Sequence, residues 1–511
     1  MVKFTRRQVL YGGLAAAAVW PSLGMVRAAE FDSDPFTLGI ASGCPRPDSV
    51  VLWTRLIFAS ASDPLLSADP FAPVPAAAEH GPTDVEWVIA DDENFSKVVQ
   101  SGVVTATPDF AHSVHVEVKG LAPDRWYFYR FRSGDFESPT GRTRTAPAED
   151  AALSPFSFAI ASCQQFEQGF YAPYKDMAQR NLDLVVHLGD YIYEKTWGGN
   201  LVRHHETGAP SLLFEYRDRH ALYKSDENLR AAHAAFPWLV TWDDHEVYDN
   251  YLFNPELGEA NRDAFIKRRA AAYQAWYEHM PVPPHMGQDF SNYRIYDRYR
   301  FGKLLDIAVL DIRQYRTQPD PQDATTHTAD IFGADQENWL DKTLADSRAK
   351  WTVIAQQTLL SERDTAKGPA THYSLDGWDG YRASRERLVK GLGDANIENP
   401  LVIGGDLHAF YTADVKADYS DANAPTVASE FVCGSITSDG PTEASIATVL
   451  AENPHLKYAN GKDHGYAIMS LDDKQARTDF MIVSDRKKPD ATTSIGPSFV
   501  VADGQKGAVR I

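Results

Sequence analysis

Cysteine is scarce, with only Cys44, Cys163 and Cys433 in 511 residues. So few cysteines exclude a scaffold built on disulfides. Cys44 and Cys433 fall in different halves of the chain and read as small buried apolar residues, with a bond between them as the alternative in an oxidising compartment. Cys163 is different, because it follows an apolar run and stands next to other metal-binding residue types. Positive charge is also short: 50 Lys and Arg face 70 Asp and Glu, a formal net charge of −20. A chain this acidic repels a nucleic-acid backbone, so binding of a nucleic-acid polymer is not expected. Beyond the N-terminus there is no apolar run long enough to cross a bilayer. Low-complexity tracts are missing too, and 43% hydrophobic with 23% charged residues is ordinary globular composition.

The N-terminus carries a targeting pattern. Thr5-Arg6-Arg7-Gln8-Val9-Leu10 is a twin-arginine sequence, followed by the weakly apolar run Gly12-Gly13-Leu14-Ala15-Ala16-Ala17-Ala18-Val19. That run is shorter than the roughly 20 residues a membrane-spanning helix needs, so no stable membrane anchor is expected. Val26-Arg27-Ala28 offers small residues for cleavage, which makes 1–28 a twin-arginine signal peptide. Its loss would take the net charge from −20 to −24, since it holds four basic residues and no acid. The expectation is a periplasmic or secreted protein that meets the twin-arginine export machinery only transiently. That route carries folded proteins, which suits a cofactor loaded before export.

A chain of this length exceeds one typical core. Residues 34–147 read as an N-terminal β-sandwich domain of immunoglobulin/fibronectin type. Ser49-Val50-Val51-Leu52-Trp53-Thr54, Asp84-Val85-Glu86-Trp87-Val88-Ile89, His115-Val116-Glu117-Val118 and Arg125-Trp126-Tyr127-Phe128-Tyr129-Arg130-Phe131 are strand-like and punctuated by Gly, Pro and Asp. Gly120-Leu121-Ala122-Pro123-Asp124 is similar to the loop before an aromatic strand in such sandwiches. The Ala- and Pro-rich 63–82 reads as a solvated loop, and 139–155 as a linker. From 154 to 485 apolar strands alternate with amphipathic helices at 214–224, 226–236, 261–280 and 334–347, the pattern of an α/β domain. Strands at 292–300, 304–310 and 351–355 belong to the same domain. The runs 465–470 and 478–483 read as a closing hairpin, and 486–511 as a C-terminal tail.

The chemistry lies at strand ends. Leu184-Val185-Val186 leads through His187-Leu188-Gly189 to Asp190-Tyr191-Ile192-Tyr193-Glu194. Phe156-Ser157-Phe158-Ala159-Ile160-Ala161 leads to Ser162-Cys163-Gln164, Trp238-Leu239-Val240-Thr241-Trp242 to Asp243-Asp244-His245-Glu246, and Pro400-Leu401-Val402-Ile403-Gly404-Gly405 to Asp406-Leu407-His408. Ligands of open α/β sheets bind just beyond the carboxyl ends of strands. Each motif alone reads as a turn or a solvated helix start; together they point to one metal site. Two metals sharing a carboxylate suit hydrolysis of phosphate esters, and Asp190 is the bridging candidate. A phenol with a pKa of roughly 10 ionises at neutral pH only on a strongly acidic cation, so Tyr193 points to ferric iron (Fe3+). Cys163 adds a soft donor. Asp244, Asp406 and His408 complete the shells, and Asn250 is a neutral oxygen donor suited to calcium (Ca2+). His245 is the candidate catalytic acid, with Glu246 orienting it. Arg217 and Arg219 are candidates to fork onto phosphate oxygens, against surface pairing with Glu215 or Asp218. His187, His204, His205 and His220 read as packed or exposed, and Gln356-Gln357, at the end of another strand, as approaching the site or as core or rim.

With these residues the chain resembles the PhoD-type alkaline phosphatase family, a metallophosphatase group distantly similar to purple acid phosphatases. The likeness begins at Phe36-Thr37-Leu38-Gly39-Ile40-Ala41-Ser42-Gly43 and Pro47-Asp48-Ser49-Val50-Val51-Leu52-Trp53-Thr54-Arg55-Leu56. It continues in the family's order through the four strand-end motifs and Leu310-Asp311-Ile312-Arg313-Gln314-Tyr315-Arg316. The resemblance implies a four-layer α+β metallophosphatase sandwich behind the β domain. It also implies one ferric ion held by Cys163, Asp190, Tyr193 and His408, with calcium held by Asp190, Asp244, Asn250 and Asp406. Cys44 stands where family members usually have aspartate, Tyr248 interrupts the acid-and-asparagine run after Asp-Asp-His-Glu, and 485–511 shows no covering helix. The expected protein is an exported alkaline phosphatase acting on small-molecule phosphate esters, the alternative being a phosphodiesterase or phospholipase-D-like hydrolase of lipid headgroups. A silent binding protein and an iron oxidase or haloperoxidase-like protein are the rivals from other classes.

Overall fold

The structure, a computed structural model, describes residues 31–58, 80–252, 258–284, 289–320, 322, 328–394 and 397–511. The expected signal peptide 1–28 and most of the expected loop 63–82 lie outside the described residues.

Short β-branched runs flanked by helices favour parallel strands buried on both faces. Phe156–Ala161, Leu184–Leu188 and Pro237–Thr241 lie side by side and parallel, with Val185 opposite Ala159 on one side and Trp238 on the other. Every residue of Leu184–Leu188 is buried. Burial of one such aliphatic side chain contributes roughly 1.5–3 kcal/mol, so a charge at Val186 would break the centre of the sheet. Among the described residues this sheet has ten strands. The expected hairpin forms from Gly465–Leu471 and Gln475–Val483, and its first strand pairs with Phe156–Ala161. Thr493–Ala502 and Val509–Arg510 then close that edge, so the expected tail 486–511 contributes two strands to the sheet.

At the opposite edge Ile40–Gly43 runs parallel to Pro237–Thr241, and Ser49–Arg55 and Ser113–Lys119 follow it. Gly43 makes that seam possible, because a Cβ there would lie 2.2 Å from the Pro281 carbonyl oxygen and 2.8 Å from that of Trp238. A separate sheet holds Thr83–Ala90, Val98–Ala106 and Trp126–Ser133, with two short strands at its edge. Its Val85, Ile89, Tyr127 and Phe131 share a core with Val50, Leu52, Val116 and Val118 of the ten-stranded sheet. The N-terminal region is therefore layered β structure as expected, but one of its layers continues the large sheet across the expected domain boundary. The 120–124 loop is tied by Tyr127, whose hydroxyl accepts the Ala122 N–H at 2.9 Å.

The second large sheet has parallel neighbours Leu305–Val309, Trp351–Ala355, Asn399–Gly404 and Thr426–Cys433. The two-residue period of a strand divides its faces. Val353, Leu401, Ile403 and Phe431 share one core with Phe158, Ile160 and Val186 of the first sheet. Ile354 and Val402 face the other way, onto Leu340, Leu344, Leu388 and Leu392 of the helices Ala334–Asp346 and Arg382–Asp394. The four expected helices are present as Leu213–Lys224, Glu227–Ala235, Glu259–His279 and Ala334–Asp346. Among the described residues no helix is long and apolar enough to cross a membrane. Cys44, Cys163 and Cys433 are free and buried. Cys433 lies 3.3 Å from the Ser162 hydroxyl, whereas Cys44 meets Tyr299 and Pro281, so these two do not pair.

Candidate metal centre

The carboxyl ends of the parallel strands in both sheets converge on one place. Each chain turns over there in an uncommon conformation. Cys163, Asp190, Asn250, Asp406 and His408 have φ values of 59°, 54°, 51°, 61° and 51°. This left-handed region costs a non-glycine residue on the order of 1 kcal/mol or more. Five of the twelve such residues among those described are thus site candidates, a clustering that marks backbone shaped around a site. Gly189, with φ of 100°, lets the tips of two strands meet, since a Cβ on it would lie 2.4 Å from that of Asp243.

Three groups of donors have their ligand atoms within 4.8 Å of one another: Cys163, Asp190 and His408; Asp190, Asp244 and His245; and Asp243, Asp244 and Asp406. Asp190 belongs to the first two and Asp244 to the last two, so the groups form a chain of adjoining sites. Tyr193 joins the first, its hydroxyl 2.7 Å from Asp190 Oδ2 and 2.9 Å from His408 Nε2, with the Ser438 hydroxyl donating to it at 2.8 Å. Asp190 Oδ1, Asp243 Oδ2 and Asp244 Oδ1 are buried without any hydrogen-bond partner. Lone carboxylate oxygens buried in this way are costly unless a cation meets them. Oxygen donors beside one thiol, one phenol and one imidazole suit a hard trivalent ion next to a divalent one, so the residues fit the metals that the family resemblance implies.

Electrostatics bear on the protonation of these donors. Burial, and next the charge of Asp190, push the Cys163 thiol and the Tyr193 phenol well above their ordinary values. A cation among these groups acts with the opposite sign and favours thiolate and phenolate. Both histidine rings are oriented by partners outside the cluster. His408 Nδ1 donates to the Asp439 carbonyl at 2.8 Å, which leaves Nε2 as a lone-pair donor toward the site. His245 Nδ1 lies 2.7 Å from Glu194 Oε2. Burial disfavours the imidazolium of His245, but Asp244, Asp190 and Glu194 outweigh it and raise its pKa well above the ordinary 6.5.

Several expected roles move to other residues. Glu246 does not orient His245; it lies buried under the strand tips and accepts the N–H groups of Asp190 (3.2 Å), Tyr191 (2.6 Å) and Asp243 (2.7 Å). Glu194 does the orienting. Arg217 and Arg219 do not reach the cavity. Arg217 forks onto Glu278, with both contacts at 2.6 Å, and the buried Arg219 donates to the carbonyls of Glu194 (2.8 Å) and Gly208 (2.8 Å). Arg219 thereby holds the loop after Asp190, a task set by burial and not by substrate. Asn250 stands beside Asp244, which accepts its backbone N–H at 2.6 Å. Its side-chain carboxamide faces the carboxylates of Asp376 and Asp244. Of the histidines read as packed or exposed, His187, His205 and His220 are buried and His204 is exposed. Gln357 is buried and ties Thr241, Trp242 and Leu310 together, joining the two sheets behind the site.

One cation had no role in the sequence reading. Arg313 is buried, pairs through Nε with Asp243, and bonds both oxygens of Asp376 at 2.8 and 2.7 Å. Its second terminal nitrogen lies 3.7 Å from Asp244 and 3.5 Å from Asp406. Arg316 supports Asp376 at 2.9 Å, and the Thr358 hydroxyl donates to Asp406 at 2.6 Å. A cavity of about 420 Å³ opens over these groups, lined among others by Asp190, Asp244, His245, Asn250, Asp406 and His408. Glu194 and Arg313 stood inside quoted motifs, whereas Asp376 follows no apolar run and Ser438 lies five residues beyond the strand Thr426–Cys433.

Comparison with known proteins shows the family of the chain. Residues 158–480 match the family model described as PhoD-like phosphatase, and residues 21–147 match its N-terminal domain. The chain is 41% identical to alkaline phosphatase D of Bacillus subtilis (strain 168), over 99% of this chain and 89% of that protein. It superposes on the solved structure of PhoD with a TM-score of 0.86 at 41% identity, covering 95% of this chain and 93% of that one.

Proposed function

The chain belongs to the PhoD-like phosphatase family and is a phosphoric ester hydrolase; from that premise we propose an exported alkaline phosphatase that works with ferric iron and calcium. The reading rests above all on the two donor groups that share Asp190. Cys163, Asp190, Tyr193 and His408 would hold the iron, and Asp190, Asp244, Asn250 and Asp406 the calcium. Ions bound there supply Lewis acidity, an activated water and positive charge for the phosphoryl oxygens.

The chain's own groups supply the rest. Glu194 orients His245 through Nδ1, and in the imidazolium form Nε2 would offer a proton on the cavity side. That proton goes to the departing ester oxygen, which leaves as an alcohol. Arg313 and Glu246 act from below, the first keeping Asp243 and Asp376 in place and the second holding the backbone of the strand tips. The Arg6-Arg7 pair, with the short apolar run behind it, supports export by the twin-arginine route. Small phosphate esters are the proposed substrates, since the acidic chain repels polyanions.

Turnover of a p-nitrophenyl monoester and of its bis-p-nitrophenyl diester, by protein exported on its own signal, tests the reading. Nitrophenol release at alkaline pH that stops with a calcium chelator and returns with calcium is expected. Indifference to the chelator would remove calcium, and no turnover of either ester would remove the phosphatase. The ratio of the two rates assigns monoesterase or diesterase preference.

A further inference from the structure

The lining of the cavity is mostly charged or polar, and Trp197 and Leu407 are its apolar members. Trp197 lies nearly parallel to two histidines of the site, 5.5 Å and 15° from His408 and 6.5 Å and 14° from His245. The residue is half-buried, yet its indole N–H is fully covered and has no hydrogen-bond acceptor. A covered donor without a partner costs the fold stability, so packing alone gives no reason for an indole at this place.

The position of Trp197 is set by the chain. Gln165 and Gln168, which follow Cys163, donate to the carbonyls of Lys195 (3.2 Å) and Trp197 (2.9 Å). Gly198, with φ of 80°, turns the chain directly afterwards, where a Cβ would lie 2.6 Å from Gln168 Nε2 and 2.7 Å from Asp439 Oδ2. The loop is therefore latched on both sides of the indole. A flat apolar face held parallel to the proton donor is where the carbon skeleton of a leaving alcohol would run.

We propose that Trp197 determines specificity for the leaving group, its indole stacking on aryl or other ring-bearing alcohols in preference to small alkyl ones. The inference rests on the phosphatase reading of the same cavity. The competing role is a purely structural one, shielding the metal ligands from water.

Trp197→Ala and Trp197→Phe separate the two. Phenylphosphonate and methylphosphonate, which are not hydrolysed, serve as inhibitors, and phenyl and methyl phosphate as substrates. The alanine variant should bind phenylphosphonate more weakly by on the order of tenfold and methylphosphonate unchanged, with phenylalanine restoring most of the difference. The ratio of kcat/KM for phenyl over methyl phosphate should fall in parallel, at unchanged metal content and melting temperature. Equal weakening of both phosphonates, or weakening of neither, would overturn the proposal. If the parent protein turns over neither ester, the phosphatase reading fails, while the phosphonate ratio still decides the role of Trp197.

Discussion

Glu194 Oε2 stands 2.7 Å from Nδ1 of His245, fifty-one positions further along the chain. The same carboxylate accepts the Asp249 N–H at 3.1 Å through its other oxygen, so it is fixed before it fixes the histidine. With Asp244 and Asp190 it keeps His245 protonated above its ordinary range, against the cost of burial.

Glu194→Gln should therefore move the alkaline limb of the kcat profile to lower pH. The raised pKa means that the acid form, and the stability of the pair, are present at lower pH and are lost as pH rises through the folded value. Removing one negative partner lowers that value. A pH–rate profile reads the shift, and an unmoved alkaline limb would take Glu194 out of the role.

Asp190→Asn should lose both metals together, because Asp190 belongs to two adjoining donor groups. Elemental analysis of the purified variant checks this. Retention of the full complement would contradict bridging.

Arg217→Ala tests the displaced arginine. Arg217 is paired with the fully buried Glu278, away from the cavity. KM for phosphate esters should stay at the parent value, while stability falls by about 3 kcal/mol because a buried carboxylate loses its partner. A rise in KM without loss of stability would return the residue to the substrate.

Arg313→Met should be more severe. The buried guanidinium serves Asp243 and Asp376 and faces Asp244 and Asp406. Denaturant unfolding of the variant should show a loss of roughly 3–5 kcal/mol. A variant as stable as the parent would mean that these carboxylates do not depend on the arginine.

What the sequence made legible follows from local signals. Apolar runs that stop at Cys163, Asp190, Asp244 and Asp406 are strands whose tips carry the clustered donors, and they needed no partner to be recognised. Pairings across the chain left no such trace: Arg313 meets Asp376 sixty-three positions away. Adjacency misled at Glu246, which follows His245 directly but points beneath the strand tips. The strand Thr493–Ala502 was hidden by Gly496 and Pro497, which interrupt its alternation at an edge where the ladder shifts register between Asp479 and Met481. Continuity of one sheet from Ile40–Gly43 into Pro237–Thr241 was likewise invisible, since a parallel pairing between distant segments has no local pattern.

The most direct measurement is anomalous X-ray diffraction at the iron edge from crystals of protein exported on its own signal. The expected result is one strong iron peak within bonding distance of Cys163 Sγ, the Tyr193 hydroxyl oxygen, His408 Nε2 and an Asp190 oxygen, with a second, iron-free density beside Asp244. An iron peak remote from Tyr193 and Cys163, or no iron in fully active crystals, would contradict it.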